Sequence, residues 1–386
     1  MNSRERVLKA INHEEPDRVP FDLGGTVVTG IHATAYVALR EYLGLPSVEP
    51  KIIDILQQLA QVDDDVMDKL GVDVKNVAPR ASTAFETQIY ETDDGRYTYF
   101  YDEWNIGWRM PKEHGLYYDM FDHPLSGEIT AEDVDNYKLP DPNDPARYQG
   151  LKEAVRQVRE GEQRAVVVGN MAAGIYELYM WTRGFEDGYA DLVGNIPLSK
   201  KILHRYMDLQ LVFLENTFNV VGVDGIDVIQ MADDMAGQQG MLISPASYRK
   251  YLKPLHKEMF DFIKERSSAK IFFHSCGSIL PVIPDLIEVG VDIINPVQVS
   301  AAGMDSAELK REFGNDLVFW GGGVDTQNAF DERYTPEEVR EDVKCRIQDL
   351  MPGGGFVFNT VHNIQANVPP KNIMAMWETL QEYGQY

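Results

Sequence analysis

The sequence predicts an α/β fold, a (β/α)8 barrel of the TIM type, and three observations carry that prediction. Eight short runs rich in β-branched and aromatic residues recur along the 386-residue chain. Each run is apolar nearly throughout rather than alternating, the pattern of parallel strands buried on both faces. Helical patterns such as 247–266 and 335–350 separate the runs, so consecutive strands are joined by crossovers. An open doubly wound sheet is the alternative. It ranks second because no Gly-x-Gly-x-x-Gly turn opens the first strand-to-helix unit.

The runs, in order, are 18–23, 72–77, 165–169, 225–230, 270–274, 291–295, 317–321 and 355–361. Between the second and third, the stretch 87–101 alternates polar and apolar residues around Asp94-Gly95, which predicts a β-hairpin. It continues into the aromatic segment 102–110, so an excursion at about 83–125 is expected to interrupt a single domain spanning 1–386 and to cover the barrel mouth. A proline-punctuated linker at 139–146 then returns the chain to the barrel.

Composition narrows the function. With 44% hydrophobic and 25% charged residues the chain reads as a soluble globular protein. No apolar stretch approaches the ~20 residues of a membrane span. The first residues lack the apolar core of a signal peptide, and only two cysteines occur, Cys276 and Cys345, so a cytoplasmic location is expected. Acidic residues outnumber Lys and Arg by 61 to 36, which argues against a nucleic-acid partner.

In a parallel barrel the loops after the strands build the active site. His274 and Cys276 close the fifth run, two residues apart, and His362 follows the eighth. Residues two apart on a strand point the same way, and imidazole and thiolate are ligands zinc prefers, so these three are the candidate metal ligands. Cys345 lies inside a helical pattern and reads as structural. Asp233 and Asp234, after the fourth run, are candidate catalytic carboxylates; capping of the following helix is the plainer reading. Asn170, Gln298 and Asp325, each beyond a strand end, are candidates for cofactor contacts. Tyr176, Tyr179 and Met231 are candidates for substrate contacts, although helical spacing gives Tyr176, Tyr179, Met180 and Arg183 one common face whose default is core packing. The Gly321-Gly-Gly323 turn more often allows close packing than phosphate binding.

These residues sit inside longer motifs: Arg4-Glu-Arg-Val-Leu-Lys-Ala-Ile-Asn-His-Glu-Glu-Pro-Asp-Arg-Val-Pro20, Arg183-Gly-Phe-Glu-Asp187, His274-Ser-Cys-Gly277, Gly290-Val-Asp-Ile-Ile-Asn-Pro-Val-Gln298 and Phe319-Trp-Gly-Gly-Gly-Val-Asp-Thr-Gln327. Together they resemble the uroporphyrinogen decarboxylase superfamily across nearly the whole length. The resemblance implies a (β/α)8 barrel and two branches, true decarboxylases and zinc-dependent methyltransferases that work with corrinoid proteins. Decarboxylases of the family carry an arginine just after the opening proline for substrate carboxylates, whereas this chain has Phe21-Asp-Leu-Gly-Gly25. The methyltransferases carry a His-x-Cys pair, matched by His274 and Cys276, and a third ligand ahead of a Pro-x-x-Asn segment. Here His362, ahead of Pro369-Pro-Lys-Asn372, stands where that branch has cysteine.

The resemblance therefore implies Zn2+, cobalamin carried by a corrinoid protein partner, and a possible homodimer. The expected activity is demethylation of a methoxylated aromatic compound with transfer of the methyl group to the corrinoid protein. Methylation of a coenzyme M-like thiol is one alternative and a uroporphyrinogen-type decarboxylase the other.

Overall fold

The computed structural model describes residues 1–169 and 172–386. Seven of the apolar runs form parallel strands: β1 (Val74–Asn76), β2 (Ala165–Val168), β3 (Val228–Ala232), β4 (Lys270–His274), β5 (Ile293–Asn295), β6 (Val318–Trp320) and β7 (Phe356–Val357). They pair in chain order, each neighbour parallel, and give a curled sheet. The sequence pattern and the packing agree, since Ala165, Val166, Val167 and Val168 are all fully buried, as strands covered on both faces require.

The expectation of eight strands is corrected at its first member. Segment 18–23 makes an isolated parallel bridge through Phe21 to Phe358 instead of a ladder. Pro20 has no N–H to donate, and the chain turns away at Gly24, whose φ of +84° a side chain would strain. The segment still touches both sheet edges: Asp22 N donates to Phe358 O at 2.9 Å and Asp73 N to Phe21 O at 2.8 Å.

The helices that position the site follow β2 and β3. Helix α1 (Ile175–Arg183) leads into α2 (Phe185–Gly194) and the long α3 (Ile196–Val221), and α4 (Lys253–Arg266) packs beside β4. Among the described residues, no helix is long and apolar enough to cross a membrane.

Between β1 and β2 the alternating stretch forms more than a hairpin. Strands Tyr90–Glu91, Tyr97–Tyr101, Gly107–Pro111 and Asp119–Asp122 make a four-stranded antiparallel sheet, turning at Asp94-Gly95 with Gly95 at φ +67°. Alternation divides its aromatic residues between two faces. Phe100, Trp108 and Tyr118 join Ile106 in a small core against Ile55, Leu56 and Trp181, while Tyr99, Tyr101 and Phe121 contact one another. A further three-stranded antiparallel sheet, Ile31–His32, Leu59–Ala60 and Ile52–Asp54, has strands too short for any sequence period to reveal.

Candidate metal centre and its cavity

The end of β4 delivers His274 into the interior, and a turn beyond it brings Cys276 back beside it. That turn requires glycine at 277, where φ is +88° and a Cβ would lie 2.6 Å from Gly237 O. Ser275 N donates to Asn295 O at 2.8 Å, and Gly277 N donates to Gln298 Oε1 at 2.6 Å. His362 arrives from beyond β7, its loop pinned by Asn363, which accepts from Gly30 N and donates to Val27 O and Gln57 Oε1. Ligand atoms of His274, Cys276 and His362 all lie within 4.8 Å of one another. The two imidazoles are 5.8 Å apart, centroid to centroid.

Hydrogen bonds set the protonation of this trio. Asn295 Nδ2 donates to Trp320 O at 2.8 Å, which turns Asn295 Oδ1 toward His274 Nδ1, 2.6 Å away. An amide oxygen only accepts, so His274 carries its proton on Nδ1 and presents a lone pair on Nε2. The Cys276 thiol, 3.4 Å from that Nε2, is the donor between them. Burial, reinforced by the neighbouring carboxyl groups of Asp234 and Glu177, pushes the thiol well above its ordinary range. Burial next to His274 pulls His362 down to about 4, so it is neutral and able to ligate at neutral pH. Two imidazole nitrogens and a cysteine sulfur are a donor set able to hold a metal ion.

His274 and His362 line a cavity of about 1230 Å3, whose wall also draws on the N-terminal segments 24–28 and 51–57. The sheet interior contributes Asn76, Gln230, Ala232 and Asp234. Helix α1 contributes Glu177, Leu178 and Trp181, and the inserted antiparallel sheet and its flanks contribute Phe100, Trp104, Trp108, Tyr117 and Tyr118. Trp108 meets Trp181 edge to face at 5.4 Å, so insertion and barrel helix share one aromatic wall.

Strand alternation corrects several sequence-based assignments. Gln230, Ala232 and Asp234 face the cavity, which turns Met231 and Asp233 to the opposite side of β3. Met231 packs in the main core. Asp233 is fully buried and accepts from Tyr176 N, from Glu177 N at 2.9 Å and from His256 at 2.9 Å. It therefore caps α1, the helix before its own strand, and carries no exposed carboxylate for catalysis. Asp234 remains at the site: its Oδ1 accepts from Cys276 N at 2.7 Å and lies 3.8 Å from His274 Nε2.

On α1 the residues at the cavity are Glu177, Leu178 and Trp181, and the stripe of Tyr176, Tyr179 and Met180 is core. Tyr179 bonds to Gly188 O and Ser199. Neither tyrosine lines the cavity. Gln298 is committed to Gly277, and Asp325 accepts from Gln327 N and from both backbone and side chain of Asn328, organising its own turn. Both hold local backbone, and neither lines the cavity. Asn170 lies outside the described residues.

Two cavity residues were missed from sequence. Glu177 stands four positions before Trp181 on one helical face, a spacing that was available as a signal. Its carboxyl is driven well above the usual range by burial and by Asp234 and Asp233. Gln230 shares the period-two face of Asp234 on β3.

The uroporphyrinogen decarboxylase (URO-D) family model matches residues 121–383. Proteins named uroporphyrinogen decarboxylase from Psychromonas ingrahamii and Vibrio cholerae are similar, at 27% identity over 267 residues and 24% over 293. These alignments cover 67% and 73% of this chain and 71% and 75% of the relatives. Among solved structures, a methyltransferase from Methanosarcina mazei shares the fold at a TM-score of 0.64 with 17% identity, covering 99% of both chains. The chain belongs to the uroporphyrinogen decarboxylase family.

Proposed function

We propose that this protein is a zinc-dependent methyltransferase of a corrinoid system, which demethylates a methoxylated aromatic compound and passes the methyl group to a corrinoid protein. The observation that carries this reading is the convergence of His274, Cys276 and His362, with the two histidines in the wall of a large cavity that also carries aromatic side chains. These three side chains would hold zinc, which when bound would supply Lewis acidity toward an ether oxygen.

The chain's own residues do the rest. Trp104, Trp108, Trp181 and Phe100 bind and orient an aromatic ring and exclude water. Asn295 fixes the His274 tautomer. Glu177, whose carboxyl burial pushes well above the usual range, lines the cavity as the group to hold or deliver a proton at the departing oxygen. In the balance, the methyl C–O bond would break with its electron pair kept on oxygen, which takes up a proton, and a reduced corrinoid partner would supply the electron pair for the new bond to the methyl carbon.

The decarboxylase reading lacks its arginine in segment 21–25, where Asp22 is instead buried against Trp320 Nε1 at 2.8 Å. A finer reading of the fold belongs with this proposal: segment 20–22, bonded to both sheet edges, acts as the eighth stave of the barrel.

The test is metal analysis of the wild type beside His274→Ala, Cys276→Ala and His362→Ala, with anaerobic turnover of methoxy-aromatics by a reduced corrinoid protein. One zinc per chain, lost with turnover in all three variants, is expected. A wild type that takes up no zinc, or full activity in metal-free Cys276→Ala, overturns the proposal.

A further inference from the structure

Gln230 is 7% exposed, lines the cavity, and its Oε1 accepts no hydrogen bond among the described residues. A buried amide oxygen without a donor costs stability, and such groups in native proteins need an explanation. Asn76 repeats the pattern. It lies on β1, lines the same cavity, and its Oδ1 is likewise buried and unpaired.

Gly169 supplies a second observation. A Cβ there would lie 2.3 Å from Gln230 Oε1 and 3.1 Å from Gln230 Cβ. The absence of a side chain at 169 is what lets the Gln230 amide lie across the end of β2.

Register places this amide relative to the metal centre. Ala232 is level with His274 and Gln230 with Phe272, so Gln230 is one inward-facing position deeper than the ligand level. That step is roughly 7 Å along a strand, about the width of a substituted aromatic ring. The inward residue of β3 level with His274 is Ala232, whose side chain is a single methyl and which lines the same cavity.

We propose that Gln230, with Asn76, forms a hydrogen-bond-accepting subsite that selects aromatic substrates carrying a free hydroxyl in addition to the methoxy group, that is, methoxyphenols over fully methylated aryl ethers. This rests on the demethylase reading for what happens at the metal, but the binding preference does not depend on it. A phenolic O–H donates to Oε1; an ether oxygen in its place has no proton to give and leaves the amide unpaired. Sites built to bond a substrate hydroxyl reject analogues lacking it strongly, because the buried partner is then orphaned.

The experiment measures binding without turnover, by quenching of the cavity tryptophans Trp104, Trp108 and Trp181. The probes are 2-methoxyphenol and 1,2-dimethoxybenzene, titrated into the wild type, Gln230→Met, Asn76→Leu and Gly169→Ala. The wild type should bind the phenol at least about tenfold more tightly than the diether. In Gln230→Met, which keeps the volume and removes the acceptor, the ratio should fall to near one, and Gly169→Ala should reduce it by displacing the amide. Equal binding of the two probes by the wild type, a preference that survives Gln230→Met, or no binding of either probe overturns the inference. Loss of zinc-dependent turnover with the preference intact removes the demethylase reading alone.

Discussion

His274 Nδ1 lies 2.6 Å from Asn295 Oδ1, and Asn295 is in turn fixed by its bond to Trp320 O. The ligand from β4 is thus oriented by β5, which is oriented by β6. Asn295→Leu, which cannot accept from Nδ1, should weaken zinc binding by about 10–100-fold while the protein stays folded. Chelator competition measures it, and unchanged affinity would show that the tautomer is set elsewhere.

Metal affinity should rise with pH. The Cys276 thiol is held well above its ordinary range, so at neutral pH binding must expel one proton, whereas His362, pulled down to about 4, is already neutral. The apparent affinity should increase about tenfold per pH unit between pH 6 and 8, with one proton released per metal. Competition titrations across that range give the slope, and a flat profile would place the metal elsewhere or leave the thiol out of it.

Adjacent carboxylates should fail differently. Asp233→Ala orphans two α1 amides and His256 in a fully buried site and should cost about 2–5 kcal/mol in urea unfolding. Asp234→Asn faces the cavity and should change turnover while shifting stability by less than about 1 kcal/mol. Equal destabilisation by both would contradict the division of β3 into two faces.

Trp108 ties the inserted sheet to α1. Its indole meets Trp181 at 5.4 Å, and its Nε1 donates to Asp102 at 2.8 Å. Trp108→Ala should cost about 3 kcal/mol locally and expose 86–122 to limited proteolysis before the barrel is cut. The same variant should raise KM for aromatic substrates more than it lowers kcat.

The sequence by itself determined the parallel architecture, because doubly buried strands must be apolar throughout, and 165–168 or 270–273 have no other stable use. It also placed His274 and Cys276 close together by their spacing, although a turn past the end of β4, and not strand alternation, brings the thiol beside the imidazole, and it marked 87–101 as antiparallel by its alternation. Tertiary structure decided the rest. Whether His362 reaches the pair depends on how the sheet curls, and whether 18–23 pairs as a strand depends on edges contributed from residues far along the chain. Asp233 and Asp234 are chemically identical in the sequence; only the packing of α1 and α4 against one face of β3 makes the first a buried cap and leaves the second at the cavity. The same holds for α1, where two faces both carry aromatic side chains and the partner packed against each decides which is core and which is wall.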